Sequence, residues 1–344
     1  MEKSRFESIG ACLPDKIVST RDLLAKMSKP QNIDLEGLTG IKERHVRVDG
    51  EDSFTFAADA ARNCISKSQY DAEDLDVIIC TSITRIKDNV KFIDEPSMSY
   101  YIKKRVGATK AMHFDISNAC AGMLTGCMIL DNLIQSGMVK NGMVVSGEYN
   151  TSVAETALKE IDERIHPQFA SLTVGDAGVA YIMDKSEAED EGVDLIDLAA
   201  VAEYADLCMG LPSEKSKGLA MYTRTKEIQS NFRSRFPQFV DSVFQKNNRD
   251  FNPDAYDYII LHQMAERVTE ANLNALEEHF GRFMPPALNS VEEYGNTSST
   301  TLFLILHNKL KEGVIRPGMT ILLISLASGI ILGCLSLKIG DMKV

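Results

Sequence analysis

Asp115–Gly137 reads DISNACAGMLTGCMILDNLIQSG. It begins in the tail of an apolar run, KAMHFDIS (110–117), and continues as a helical pattern that stops at Gly137. A strand that passes within a few residues into a buried helix is the building block of an α/β fold. The stretch also holds two cysteines, Cys120 and Cys127. Free cysteine is among the most buried residue types, so packing is the ordinary reading of either one. Cys120, however, sits at the strand-to-helix junction, beside the unpaired N–H donors of a helix start. The positive end of the helix dipole favours a thiolate there and lowers its pKa. Ala121 and Gly122 leave room for a substrate to approach. Cys127 lies two turns further on, where no dipole end reaches it, and reads as core.

Outward from this stretch the pattern recurs. Short apolar, β-branched runs predict strands at RFESIGACLP, LDVIICTSI, KAMHFDIS, GMVVSGEY and AGVAYIMD in the first half. The second half offers VDLIDLAAVAEYA, YDYIILHQM, TILLISLAS and LGCLSLKI. Between them lie amphipathic helices: SFTFAADAARNCISKS, with Ser53 placed to cap it, EPSMSYYIKKRVG, KEIQSNFRSRFPQFVDSVFQKN, MAERVTEANLNALEEHFG and TSSTTLFLILHNKLKEG. Strands alternating with helices predict largely parallel sheets covered on both faces. A strand followed by a helix just past a reactive residue occurs at DISNAC–AGMLTG and again at IILHQ–MAERV, which predicts two duplicated halves. The charged segment KSEAEDEGVDL reads as the surface connection between them. The expected halves are residues 1–185, carrying Cys120, and 186–344.

Composition limits the function. The chain has 344 residues, 44% hydrophobic and 25% charged, which is ordinary for a globular protein. A net charge of −12 argues against nucleic acid as a partner. The run MTILLISLASGIILGCLSL is long enough to span a membrane, but its serines and glycines fit two buried strands joined by a glycine turn, so no membrane is expected. MEKSRFESIGACLP has no apolar run of signal-peptide length. The seven cysteines are scattered, with no paired spacing beside histidines, so no metal is expected. Their odd number points to a reducing, cytoplasmic setting.

A thiolate nucleophile needs hydrogen-bonding partners, and an acyl thioester needs an oxyanion hole. Of six histidines, His262 ends the apolar run YDYIIL, where open α/β sheets place ligands. His45 and His113 are weaker candidates; His166, His279 and His307 read as surface. In YGNTSSTT, Asn296 precedes a helix, and its amide suits either a helix cap or a neutral donor to a substrate carbonyl.

NACAG, LHQMAERV and YGNTSS, in that order, resemble the Cys–His–Asn constellation of the thiolase superfamily, and in particular its β-ketoacyl-(acyl carrier protein) synthase III branch. LTGIKERHV and VGDAGVAYIM resemble two further stretches of that branch, and the likeness runs from about Glu7 to Ile339. It implies a five-layered αβαβα fold of two duplicated halves and a homodimer. It also implies that Cys120 is acylated and that His262 and Asn296 stabilise the enolate of a second thioester. The backbone N–H groups of Cys120 and Ser328 would form the acyl oxyanion hole. The reaction is then a Claisen condensation of phosphopantetheine thioesters, from acyl carrier protein or acyl-CoA, without a further cofactor.

Three departures bear on the substrate. Ala327 and Ser328 stand where relatives often have glycine. The chain has no Trp, and Leu38 lies near the place of a nucleotide-holding Arg, so carrier-bound donors are expected, docked through Arg233, Arg235 and Arg267. Glu95 stands where some relatives send a partner-subunit Glu to the active site as a base, although a helix start favours Glu there too. The expected product is a fatty acid, a polyketide or a specialised lipid or pigment. The alternatives are acyl transfer to an alcohol or amine, or a non-catalytic subunit of a heterodimer.

Overall fold

The computed structural model describes residues 3–91, 95–163, 165–188 and 191–344. Burial alternates along the strands between two separate cores. Val77 and Ile79 face one, whereas Ile78 and Cys80 face the other. Strands covered on both faces explain the near-continuous apolar runs in the sequence.

The first sheet contains β1 (Ser4–Cys12), β2 (Val77–Cys80), β3 (Met112–Asp115), β4 (Asn141–Glu148) and β5 (Ala177–Lys185). Their order is β1-β5-β4-β2-β3. The second contains β6 (Gly192–Ala200), β7 (Tyr258–Leu261), β8 (Thr320–Ala327) and β9 (Ile331–Lys338), in the order β6-β9-β8-β7. The principal helices are α1 (Ser53–Lys67), α2 (Met98–Val106), α3 (Gly122–Gln135), α4 (Thr151–Glu160), α5 (Thr225–Lys246), α6 (Glu266–Phe280) and α7 (Thr301–Lys311). Helices α3 and α7 fill the space between the sheets, where Leu124 and Leu130 meet Leu302–Leu306 and the inner faces of β1, β5, β8 and β9. Helices α1 and α2 cover the outside of the first sheet, and α5 and α6 the outside of the second. This is the expected αβαβα stack.

Strand order corrects the phase of the duplication. In each sheet the first strand pairs antiparallel with the last, the last pairs antiparallel with the one before it, and a parallel strand follows. Strand β7 therefore corresponds to β2, not to β3. An isolated parallel bridge between Ile259 and Ala287 occupies the edge that β3 holds in the first sheet. Helix α7 is thus the counterpart of α3. The turn bearing Asn296 corresponds to the turn bearing Cys120, and His262 corresponds to Thr81 at the end of β2. The two reactive-looking residues thus follow strands that hold different places in the sheet order.

The apolar run 319–337 folds as the antiparallel hairpin β8–β9, as expected, and no described helix is long and apolar enough to cross a membrane. The N-cap of α1 is Asp52 rather than Ser53: its carboxylate accepts from Thr55 N at 3.0 Å, while the Thr55 hydroxyl closes the capping box. Ser53 is the first helical residue and its hydroxyl donates to Thr84. The paired residues Gly147 of β4 and Gly178 of β5 let α1 lie directly on the sheet. A Cβ on them would come within 2.1 Å of Ser53 O and 2.2 Å of Phe56 O. A further hairpin, Cys208–Pro212 with Leu219–Thr223, reaches from the second half onto the first, where Leu219 packs with Phe56 and Tyr149. Its first strand is largely exposed, so it carries no apolar run by which the sequence would announce it.

Candidate active site

Cys120 lies in the 3-10 turn Ala119–Ala121, one step ahead of α3. Ala119 holds φ 46°, a left-handed value that disfavours a side chain. The turn is pinned to α3: Asn118 Nδ2 donates to Thr125 Oγ1 at 2.7 Å, and that hydroxyl donates to Ala121 O at 2.8 Å. Gly122 serves packing rather than substrate access, because a Cβ there would stand 2.9 Å from Thr81 O. The Cys120 thiol meets one side-chain partner among the described residues, the Ser298 hydroxyl at 3.6 Å. Burial pushes the thiol up to about 12; the Ser298 hydroxyl pulls it down, and the Glu148 carboxylate pushes it further up. The expectation of a pKa lowered by the helix start is therefore corrected. Desolvation outweighs the dipole, and the resting side chain is a thiol. Cys127 is fully buried in the central layer, as expected.

His262 follows β7, and its backbone N–H donates to Ile324 O of β8 at 2.9 Å. It is 1% exposed, and burial lowers its pKa to about 4. Its Nδ1 is buried without a hydrogen-bond partner among the described residues. The imidazole is therefore neutral through the ordinary working range. As pH falls, the unfolded chain takes up this proton first. The contribution of His262 to stability is thus complete above the ordinary histidine value of 6.5 and is lost on descending towards 4.

Asn296 is held by its backbone to the loop before β5: its N–H donates to Thr173 O at 2.9 Å, and its carbonyl accepts from Gly175 N at 3.1 Å. Its Oδ1 accepts from Ser298 N at 2.8 Å. That bond closes a local turn and is not a helix cap, since α7 begins at Thr301 with Thr300 at its N-cap. With Oδ1 engaged, the Nδ2 donors have no protein partner among the described residues. The turn carrying Cys120 packs against both β8 and the turn 298–300. The strand neighbouring His262 and the turn beside Asn296 thus both border the Cys120 turn.

Behind this turn lies an acid that no motif marks. Glu148, fully buried at the end of β4, accepts from Ile83 N, Thr84 N, Thr84 Oγ1, Ser146 Oγ and Ser299 Oγ at 2.6 to 3.2 Å. Burial raises its pKa against these donors. The only trace in the sequence is a lone acid at the end of an otherwise apolar strand. Ser298 was visible only as part of GNTSS.

Two family models described as 3-oxoacyl-(acyl carrier protein) synthase III match residues 114–202 and, for its C-terminal part, 247–339, together more than half of the chain. The chain belongs to the 3-oxoacyl-(acyl carrier protein) synthase III family. A β-ketoacyl-(acyl carrier protein) synthase III of Sulfurimonas denitrificans is 26% identical, with the alignment covering 100% of each chain. One of Granulibacter bethesdensis is 27% identical, covering 98% of this chain and 100% of the other. Among solved structures, a variant of OleA from Xanthomonas campestris superposes with TM-score 0.86 at 19% identity, covering 98% of both chains. FabH of Pseudomonas aeruginosa gives 0.81 at 20%, covering 99% of both. These likenesses establish the thiolase-type fold.

The remaining candidates lie around this synthase III core. Ser328 is half-buried in the turn between β8 and β9, next to Gly329 at φ 130°. Glu95 is exposed two residues before Ser97, whose N–H donates to its carboxylate at 3.0 Å. Arg233 is exposed on α5, whereas the Arg235 guanidinium stacks on Tyr204 and donates to its hydroxyl at 2.9 Å. Arg267 opens α6 on the wall of a cleft of about 530 Å³ lined also by Lys42 and by Asp34, Glu36, Glu266 and Glu292. His307, expected at the surface, is buried in α7 with Nδ1 2.8 Å from Asn308 Oδ1. His45 is bonded to Pro14 O and stacks on Tyr294, which gives it a structural place.

Proposed function

We propose that this chain is a condensing enzyme that carries an acyl group on Cys120 and joins it, by Claisen condensation, to a second acyl thioester. The observation that carries this reading is the seating of the Asn296–Thr300 turn on the Cys120 thiol, through Ser298 at 3.6 Å. A nucleophile from the first half and a neutral amide from the second border one space. Asn296, with Oδ1 committed to the turn, offers Nδ2 to a thioester carbonyl. His262, held neutral by burial, offers a second donor without a permanent cation. Neutral donors suit a charge that develops only at the enolate. The Cys120 and Ser328 N–H groups form the hole for the acyl carbonyl in this scheme. A malonyl-type donor supplies the carbanion by losing CO2, so no strong base is required.

The donor is a carrier-bound phosphopantetheine thioester rather than free CoA. The cleft beside residues 34–42 sets four carboxylates against two cations, and Lys42 is already paired with Glu292 at 2.5 Å. Nucleotide phosphates find poor company there. Arg233, exposed and unpaired among the described residues, is the first contact for an acidic carrier, and Arg267 the second. The test is intact-mass detection of acyl-enzyme with a panel of CoA and carrier thioesters, with and without a malonyl donor. A mass shift followed by a carbon–carbon product is expected. No shift with any donor would sink the proposal, and a shift without such a product would point to acyl transfer instead.

The working form is a homodimer in which Glu95 of one subunit serves the other. Strand β3 is the edge of the first sheet, with Met112 half-exposed. Asp115 at its end caps α2, accepting from Met98 N and Ser99 N at 3.0 and 2.9 Å. The turn holding Glu95 is thereby tied to the strand that leads to Cys120. Pairing across this edge would bring the partner's copy of Glu95 towards the site, as a base for donors that lose no CO2. Glu95→Gln is expected to lower condensation of such donors about 100-fold and to spare malonyl donors; full activity with both would refute the role.

A further inference from the structure

We propose that Ser298 is a catalytic residue, whose hydroxyl is the hydrogen-bond partner that stabilises the Cys120 thiolate during acyl transfer. The inference deepens the condensing reading and rests on it for the identity of the acyl donor, but not for the state of the thiol. Four observations carry it. The Ser298 hydroxyl is the one side-chain partner of the Cys120 sulfur among the described residues, at 3.6 Å, within range for a bond to sulfur. Ser298 makes no other side-chain hydrogen bond there, so its hydroxyl is free to accept from the thiol and then turn and donate to the thiolate. Its φ is 61°, a left-handed conformation that disfavours a side chain and persists only where the surroundings enforce it. The enforcement is visible on both sides. The Ser298 N–H is bonded to Asn296 Oδ1, and neighbouring Ser299 donates to Glu148 at 2.6 Å and lies 2.7 Å from Ser146 Oγ.

The need for such a group follows from the rest of the site. His262 is held neutral at rest by burial, so no imidazolium stands ready to pair with the thiolate. The titratable groups near the sulfur are Glu148 of β4 and Cys208 of the 208–223 hairpin, and neither can offer a positive charge to a thiolate. Neither the turn 298–300 nor the end of β8 carries a titratable side chain. The step balances without a co-reactant. The Cys120 sulfur bonds to the acyl carbon, the carbon–sulfur bond of the thioester breaks, and the thiol proton ends on the departing pantetheine thiolate. Ser298 begins and ends as a hydroxyl.

The test measures thiol chemistry directly, in the full chain and with no acyl substrate. Alkylation of Cys120 by iodoacetamide is followed by peptide mass against pH in wild type, Ser298→Ala and Ser298→Gly. Both variants are expected to react about tenfold more slowly at a given pH, since a hydrogen bond to a charged group is worth at least that factor. Ser298→Gly removes the left-handed strain together with the hydroxyl, so a matching loss in a fold at least as stable assigns the effect to the oxygen. The S–H stretching band of Cys120, isolated as the Raman difference against Cys120→Ala, is expected to move to higher frequency in both variants, a change that a merely supporting role would not produce. Alkylation within twofold of wild type in both variants, or an unmoved S–H band, would overturn the proposal. Slowed alkylation in an enzyme that no thioester acylates would leave Ser298 in place and remove the condensing function instead.

Discussion

Replacing Cys120 with alanine is expected to abolish acyl-enzyme formation and to lower condensation by roughly 1,000-fold or more, because the covalent intermediate has no other carrier. The other cysteine of the same stretch cannot substitute. Cys127 is buried in the central layer seven residues on, and burial holds its thiol well above the ordinary range. Cys127→Ala is therefore the matched control: it removes one buried sulfur, costs about 1 kcal/mol of stability and leaves the intact-mass shift unchanged. The enolate site does not include the thiol, so Cys120→Ala should still release CO2 from a malonyl donor. Release of CO2 together with loss of acylation would separate the two half-sites by measurement. Retention of the acyl-enzyme shift in Cys120→Ala would show that the nucleophile lies elsewhere.

The second large effect is expected at Asn296. Asn296→Asp keeps an oxygen to accept from Ser298 N, so the turn retains the 2.8 Å bond that shapes it. The change converts the Nδ2 donors into a second carboxylate oxygen and sets a negative charge beside the forming enolate. Loss of one oxyanion donor costs 100- to 1,000-fold, and the like charge adds to it, so condensation should fall by about 1,000-fold or more. Acylation of Cys120, which does not use this donor, should stay within a few-fold of wild type. Removing the second donor as well, in Asn296→Asp/His262→Ala, should cost much less than the product of the single losses, since the two groups act as a unit. Equal loss of acylation and condensation in Asn296→Asp would mean that the turn, and not the donor, had failed.

The layers and the site are legible in the sequence to different depths. Strands buried on both faces write themselves as runs such as VIIC and YIILH, so both sheets and the buried helices stand out without coordinates. The candidate nucleophile stands out because Cys120 and Cys127 share one stretch yet occupy different places on it. What escapes is whatever depends on chain segments meeting. The thiol pKa is such a case: a helix start is a local feature and argues for a thiolate, whereas desolvation is set by β8, β9 and the turn 298–300 together. The phase of the duplication escapes for a similar reason, because two strand–helix junctions can look alike while their strands hold different places in the sheet order. Glu148 escapes because an acid in a strand says nothing until five donors converge on it.

The central layer also decides how the molecule comes apart. Helix α3 belongs to the first half and α7 to the second, yet their side chains lie in one continuous cluster with strands of both sheets. Separating the halves would expose Leu302–Leu306 on one side and Leu124 and Leu130 on the other, a loss of apolar burial that neither half could make good. The two repeats are thus a record of ancestry and not of independent folding. Heat should melt them in a single cooperative transition, and neither repeat should persist when expressed without the other.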